Sequence, residues 1–340
     1  MEESVLGDVY VQTNGPDNEI IVFRRGLDGA LDLFGSFSTG GKGLNEPHLT
    51  SQGSTVLTND GRYLLVTNAA SDDVSQFAVG DHAIELVRVR KTGPAPKSVA
   101  EHDGLVYVLN TSEPGLIGLR ITDGGLEPVT GSDRKLPSDA DPAQVGFSPD
   151  GSTLIVTERG TDSIAAFMVG SDGLLGQVQR VPSSGPTPYG FAVSTTGTLV
   201  VTEAFRAQKG AAAASSYRVQ GGSVTPITPS VGSGRSEICW AVVTKDGRYA
   251  FTTNFADGAV SRFALAPDGA LTLDDAVAGV TVEGRPGLRD EGLSADHRYL
   301  YAIDADAGLL VGWALGDGGV LSPIGQWGDL PRTVAGLAAR

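Results

Sequence analysis

Short apolar runs that end in a polar residue recur along the whole chain. In one of them Leu154, Ile155 and Val156 are followed closely by Glu158 and Arg159. Seven such runs occur, at 9–14, 63–68, 106–110, 154–158, 199–203, 250–254 and 300–304. Their polar ends lie 42 to 54 residues apart, a spacing typical of the four-stranded blades of β-propellers.

A second regularity supports this repeat. In six segments a large apolar residue lies nine positions after the polar end, and in the fifth segment Tyr217 follows after 14. The six residues are Phe23, Phe77, Leu119, Phe167, Phe263 and Trp313. Several stand in runs of alternating apolar and polar residues, as in VSQFAV at 74–79, which indicates strands. Asp-Gly turns before several of the polar-ended runs indicate hairpins. Each repeat therefore predicts four strands, lettered A to D from the channel outwards.

The first repeat has no strand A, because the chain opens on the strand that ends at Asn14. The segment TVAGLAA at 333–339 matches the missing strand. We therefore predict an all-β, seven-bladed propeller of four-stranded antiparallel blades, with the C-terminal strand paired into the first blade. Such pairing leaves no free sheet edge. Residues 1–340 are predicted to form one domain, with blade one built from 7–40 plus 333–339.

Composition narrows the function classes. The 47 glycines and 18 prolines suit a turn-rich chain, and the single cysteine excludes a disulfide framework. A net charge of −15 argues against nucleic acid or an anionic membrane as partner. No apolar stretch reaches 18 residues and no secretory signal is visible, so we expect no membrane span and a cytoplasmic protein. The pattern does not specify an oligomeric state.

The predicted topology brings the seven polar strand ends to one face of the propeller, around the mouth of the central channel. They are Asn14, Asn68, Asn110, Glu158, Glu203, Asn254 and Asp304. Asn and Asp commonly cap turns, which is an alternative to a ligand-binding role. Glutamate is a poor capping residue, so Glu158 and Glu203, from adjacent blades, are the predicted catalytic acid and base.

The starts of the A strands and the neighbouring loops bring further polar groups to this mouth. The predicted substrate-binding residues are Arg289, Arg206, Lys97, Gln144, Tyr189, Arg159 and His48. Several basic groups in an acidic protein suit a small polar or anionic substrate, with arginine as a clamp for carboxylate or phosphate. The alternative is that each arginine pairs with a neighbouring acid.

No cofactor is predicted. One cysteine and four histidines spread along the chain do not suit a zinc site. A divalent ion held by oxygen ligands from Glu158, Glu203, Asn254 and Asn110 remains an alternative.

Two blades, PAQVGFSPDGSTLIVTERGTDSIAAF and CWAVVTKDGRYAFTTNFADGAVSRF, resemble those of the bacterial seven-bladed propeller lactonases. That family includes propeller-type 6-phosphogluconolactonases and 3-carboxymuconate lactonizing enzymes. The resemblance implies a catalytic role for Glu203 and a substrate-binding role for Arg289. The family's histidines are not matched, because Gln144 stands near one such position and Tyr189-Gly190 replaces an Arg-His pair.

These observations predict a lactonase-like enzyme. It would hydrolyse or form the lactone ring of a small polar or anionic, sugar- or muconate-derived substrate at the channel mouth. Two alternatives remain at this point. One is a non-catalytic propeller that binds a small ligand or a protein, and the other is a metal-dependent lactonase.

Overall fold

Seven antiparallel sheets make up the fold of this chain. The computed structural model describes residues 7–47, 49–80, 83–282 and 284–340. Apart from two short 3₁₀ turns, Phe205–Ala207 and Asp317–Gly319, the regular elements of these residues are all strands. Neither turn has the length or the apolar character of a membrane-spanning helix. The predicted seven-bladed propeller is confirmed.

The strands follow the predicted order, from the channel to the rim in each blade. Blade one contains β1 Gly7–Gln12, β2 Glu19–Arg25 and β3 Leu31–Ser38. Blade two contains β4 Thr55–Leu57, β5 Tyr63–Asn68, β6 Asp73–Val79 and β7 Ile84–Lys91. Blade three contains β8 Pro96–His102, β9 Leu105–Asn110 and β10 Gly115–Thr122, with its outer strand divided into β11 Gly125–Pro128 and β12 Arg134–Lys135.

The remaining four blades have four strands each. Blade four contains β13 Pro142–Phe147, β14 Thr153–Glu158, β15 Ser163–Val169 and β16 Leu175–Pro182. Blade five contains β17 Pro188–Val193, β18 Thr198–Glu203, β19 Ala213–Gln220 and β20 Ser223–Gly232. Blade six contains β21 Ile238–Val243, β22 Tyr249–Asn254, β23 Ala259–Leu265 and β24 Leu271–Val280. Blade seven contains β25 Leu288–Leu293, β26 Tyr299–Asp304, β27 Leu309–Leu315 and β28 Leu321–Trp327.

The C-terminal strand closes the ring as predicted. This strand, β29 Leu337–Ala339, pairs antiparallel with β1 and supplies the missing strand A of blade one. Arg340 adds an ion pair, with its Nη2 atom 2.8 Å from Oδ2 of Asp8. The buried Arg25 side chain donates to the carbonyl oxygen of Arg340. Backbone pairing and side-chain contacts therefore both join the two ends of the chain.

Apolar clusters fill the gaps between neighbouring blades and explain the apolar runs of the B strands. In β14, Leu154 and Val156 pack into the cluster shared with blade three, whereas Ile155 packs into the cluster shared with blade five. Successive side chains of a strand point to opposite faces of its sheet. Because both faces are covered, a continuous apolar run is buried on both sides. The large apolar residue of each C strand, such as Phe263 or Trp313, is buried in these clusters as well.

Candidate functional site

The seven polar residues at the ends of the B strands are all buried. Four of them hold the segment through which the chain enters their blade from the preceding one. Asn68 accepts a hydrogen bond from Thr39, Asn110 donates to the carbonyl of Thr92, and Asp304 accepts from Thr281. Glu203 accepts from Ser183 in the same way. Each partner is a hydroxyl-bearing residue that follows directly on the outer strand of the preceding blade.

Glu203 is fully buried and its carboxylate is surrounded by donors. Oε1 accepts hydrogen bonds from the Ser215 hydroxyl at 2.6 Å and from the Gly185 amide at 2.8 Å. Oε2 accepts from the hydroxyl of Ser230. These contacts direct the carboxylate toward strands C and D and the entering segment. The structure does not bring Glu203 to the channel mouth, and its predicted acid–base role stays a prediction.

Glu158 is likewise buried, and its partner lies on the outermost strand of its own blade. The Arg180 guanidinium, one third exposed, lies 3.3 Å from Oε1, and the hydroxyl of Thr161 donates to Oε2 at 3.0 Å. This ion pair offsets the free-energy cost of burying the Glu158 carboxylate beside an apolar run. Glu158 thus contacts Arg180, whereas the adjacent Arg159 pairs with Asp141 at 2.6 Å.

Three cationic side chains and one tyrosine meet at the mouth. The Arg159 guanidinium lies over the ring of Tyr189, 4.8 Å from its centroid, and Arg289 lies 5.1 Å from the ring centroid of Phe255. Both guanidinium groups act electrostatically on Tyr189 and on Cys239, so they flank the same apolar patch. The third cation, Lys97, is half-buried, and it lies close enough to Arg159 to be repelled by the positive charge of the guanidinium group. We call Lys97, Arg159, Tyr189 and Arg289 the basic mouth.

The electrostatics of the basic mouth follow from burial. Burial, and then the neighbouring Arg159, lower the pKa of the Lys97 amine below its usual value. Burial also lowers the pKa of Arg289, which the nearby Asp306 opposes. Burial raises the pKa of the Tyr189 hydroxyl, so this group keeps its proton at neutral pH. The mouth therefore offers a protonated phenol beside fixed positive charge and an amine that loses its proton more easily than an exposed lysine.

Each arginine that was predicted to bind substrate also has an acidic partner. Arg289 lies 3.6 Å from Asp306. Arg206 lies 2.5 Å from Asp162 and is two-thirds exposed. It belongs to the turn Phe205–Ala207, in which three consecutive residues have a positive φ. Ion pairing, the alternative reading of the sequence, thus describes all three arginines, and Arg206 takes no part in the basic mouth.

A segment from blade two crosses the channel beneath the basic mouth. The Gln52 amide spans to blade six, donating to the Ala241 carbonyl at 2.9 Å and accepting from the Ala241 amide at 3.1 Å. The backbone carbonyl of Gln52 accepts from Ser98 in blade three at 2.6 Å. The preceding residue, Ser51, accepts from the Trp240 indole at 3.2 Å and donates to Ala143. Gln52 and Ser51 thus form the floor of the mouth.

Gly190 makes this crossing possible. A Cβ atom built at Gly190 would lie 2.4 Å from Oε1 of Gln52 and 2.5 Å from the carbonyl oxygen of Cys239. Such distances are well inside van der Waals contact, so the position has no room for a side chain. A glutamine from another blade therefore fills the space beside Gly190.

A further predicted residue, Gln144, does not reach the basic mouth. Gln144 bridges blades four and five, accepting from the Phe191 amide at 2.6 Å and donating to its carbonyl at 3.0 Å. Its amide is thus committed to the backbone of the channel wall. His48 lies outside the described residues.

The four proposed metal ligands are held separately. Glu158 and Glu203 have the partners given above, Asn254 donates to Ala259 and Ser261, and Asn110 donates to Thr92. Each side chain is engaged in or next to its own blade. Over the ranges that the structure describes, no group of three or more His, Cys, Asp and Glu residues is placed to hold a metal ion.

Several residues that shape the channel are not among those predicted from the sequence. Phe255 and Asp306 complete the surroundings of Arg289. Asp290 and Glu291 place two carboxyl groups in a strand that lines the channel. A visible signal existed for the last pair, because LRDEGL puts two acids at the centre of a strand expected to be buried.

The family of the chain follows from comparison with known sequences. A model of the lactonase family with a seven-bladed β-propeller matches residues 122–210 and 200–322, more than half of the chain. The chain belongs to this lactonase family. No curated protein matches the sequence.

Solved structures share the fold at low sequence identity. A Bacteroides uniformis protein provisionally named a 6-phosphogluconolactonase is 19% identical, with a TM-score of 0.73 over 97% of this chain and 99% of that one. The periplasmic gluconolactonase of Pseudomonas aeruginosa is 18% identical, with a TM-score of 0.72 over 97% of this chain and 98% of that one. A Lactobacillus plantarum protein is 14% identical, with a TM-score of 0.76 over 98% of this chain and 99% of that one. At these identities the likeness concerns the fold.

The contact between Gly190 and Gln52 leads to a stability prediction. Gly190→Ala forces the backbone of Cys239 to shift, and overpacking of this kind costs about 1–3 kcal/mol. Urea unfolding followed by circular dichroism should show this loss. Gly232→Ala is the matched control, since a Cβ atom there meets nothing within 4 Å. Equal stability of the two variants would contradict the described floor.

Proposed function

We propose that this lactonase-family protein hydrolyses a small lactone that carries a carboxylate or a phosphate, bound at the basic mouth. The observation that carries the proposal is the convergence of Arg159 and Arg289 on Tyr189, with Lys97 close to Arg159, in a chain of net charge −15. Guanidinium groups bind carboxylate and phosphate through paired, charge-assisted hydrogen bonds. A local concentration of positive charge in an acidic protein favours an anionic ligand at this place.

A sugar-derived lactone is the proposed substrate class. The names of two structural neighbours refer to gluconolactone and 6-phosphogluconolactone chemistry. Their low identity to this chain makes these names a guide to candidate substrates only. A muconate-derived lactone also carries carboxylates and belongs in the same assay.

Hydrolysis requires a proton acceptor and a donor to the carbonyl oxygen. Water adds to the lactone carbonyl carbon, the ring C–O bond breaks, and the released ring oxygen takes up a proton, which gives a hydroxy acid. In our proposal the neutral Lys97 amine accepts the proton of the attacking water, since its lowered pKa increases the neutral fraction. Tyr189 donates to the oxygen that becomes negative, while Arg159 and Arg289 hold the anionic group of the substrate.

Glu203 has a positioning role in this proposal. Its carboxylate receives hydrogen bonds from Gly185, Ser215 and Ser230, which hold it behind the mouth. The same contacts fix the segment that leads into Tyr189. Glu203 therefore acts on the mouth through the position of Tyr189.

Binding without catalysis is the second candidate function. It is favoured by the hydrogen-bonded state of Glu203, because the one carboxylate that the family resemblance marks as catalytic is engaged elsewhere. Such a protein would retain anions at the mouth and open no lactone. An assay of lactone hydrolysis therefore distinguishes the two candidates.

We expect the purified protein to open anionic sugar lactones faster than neutral ones in an assay of acid release. Arg159→Gln removes a charge-assisted contact worth about 1.5–3 kcal/mol, so kcat/KM should fall about 10- to 100-fold. Arg206→Gln is the control, since this exposed arginine lies outside the basic mouth, and it should leave kcat/KM unchanged. Anion binding without any lactone opening would support the second candidate, and equal loss in both variants would exclude the basic mouth as the site.

Lys97 should give a characteristic pH dependence. If its neutral amine accepts the proton, kcat rises with pH and levels off above a pKa lower than the ordinary value of 10.5, because burial and Arg159 favour the neutral form. Lys97→Arg keeps the charge and should abolish this rise, with kcat at least 100-fold lower. Rates corrected for spontaneous lactone opening test this directly. Full activity of Lys97→Arg would instead assign Lys97 to substrate binding.

A further inference from the structure

A second polar site lies deeper in the channel, beyond the floor formed by Gln52. A cavity of about 250 Å³ is lined there by residues of the A strands, among them Val99, Val145, Asp290, Glu291 and Leu337. Val99 and Glu291 follow Lys97 and Arg289 on the same strands, so this cavity lies farther from the mouth. We call it the acidic channel cavity.

Glu291 is the unusual member of this cavity. The residue is only 4% exposed, and both of its carboxylate oxygens are buried with no hydrogen-bond partner among the described residues. Burying a carboxylate without a partner costs several kcal/mol. Burial raises the pKa of the neighbouring Asp290 to about 7, while the Gly336 amide, Arg289 and the Trp240 indole favour its ionised form. Glu291 therefore has the bonding capacity for a donor that none of the described residues supplies.

The rest of the wall indicates what kind of donor fits. Val99, Val145 and Leu337 present apolar surface, whereas Gln52 and Gln144 carry amide oxygens that each accept one backbone N–H. An amide oxygen has two lone pairs, so each can accept one more hydrogen bond. The half-buried Glu101 also lines the cavity. A ligand with a compact positive head and a short hydrocarbon tail matches carboxylates, amide oxygens and apolar walls together.

We propose that the acidic channel cavity binds a small primary alkylammonium ion, with its NH₃⁺ group at Asp290 and Glu291 and its alkyl chain against Val99, Val145 and Leu337. An ammonium head has three donors and suits the two oxygens of Glu291. The methylene groups gain from contact with the apolar wall. The site is separate from the basic mouth, so it does not depend on lactone hydrolysis.

Trp240 offers a direct probe, because its indole donates to the carbonyl of Ser51 and also lies close enough to Asp290 to stabilise the ionised carboxylate. The chain has three tryptophans, and labelling with 5-fluorotryptophan gives three ¹⁹F resonances, with Trp240→Phe assigning the one of interest. Titration with n-butylammonium chloride at constant ionic strength should shift the Trp240 resonance saturably, leaving those of Trp313 and Trp327 in place. A Trp240 resonance that does not move would overturn the proposal without any need for a cavity variant.

Glu291→Gln tests the role of charge. Burial and the neighbouring Asp290 raise the pKa of Glu291 well above its usual value, and a bound ammonium ion would favour the charged form. The amide of the variant has nearly the same shape and cannot ionise, so the variant should fold, and n-butylammonium should bind at least tenfold more weakly. Glu85→Gln, at an exposed glutamate, is the matched control and should bind as the wild type does. Equal binding of n-butylammonium and uncharged n-butanol would contradict recognition of the charge. Saturable binding of CaCl₂ or MgCl₂ with none of the amine would show a metal site instead.

Discussion

Covering both faces of every blade is the constraint on which this structure depends. The chain must pass seven times between packed sheets, and each passage carries backbone polar groups through a buried region. Asn68, Asn110, Glu203 and Asp304 meet this need by bonding the segment that enters their blade. Buried polar groups are tolerated where they are hydrogen-bonded. These four residues therefore satisfy buried polar groups and at the same time fix the position at which the chain enters each A strand.

The same entry points deliver the residues of the proposed site. The segment held by Asn68 leads to Gln52, that held by Asn110 leads to Lys97, and that held by Asp304 leads to Arg289. Glu203 holds the segment that leads to Tyr189. The polar ends of the B strands thus act behind the mouth, while the starts of the A strands face it. The repeated arrangement of B-strand ends and A-strand starts therefore places the residues of the basic mouth on one surface.

The fold could be predicted from the sequence because its signals are local and repeated. The structure contains the repeat that runs from Asn14 to Asp304, the buried C-strand residues and a C-terminal strand in blade one, although this strand is Leu337–Ala339 and shorter than the predicted 333–339. The direction of the Glu158 and Glu203 side chains could not be predicted in this way. It depends on Arg180 in one case and on Ser183 and Ser215 in the other, and strand periodicity does not specify such partners.

Contacts across the channel could not be predicted from the sequence either, because their two partners lie far apart in the chain. Gln52 pairs with Ala241, 189 residues away, and nothing in either local sequence marks the other. The sequence nevertheless predicts that Lys97, Tyr189 and Arg289 share one face, because the topology alone brings the starts of the A strands together. Arg159 is predicted at the same face because it lies in the loop that follows a B strand.

The most direct test of the account is a crystal structure with a bound phosphorylated aldonate, the hydroxy-acid product of a sugar lactone. We predict its phosphate or carboxylate against Arg159 and Arg289, with its carbon chain over Tyr189 and above Gln52. An aldonate bound on the opposite face of the propeller, or bound at Glu203 with the basic mouth unoccupied, would contradict the account.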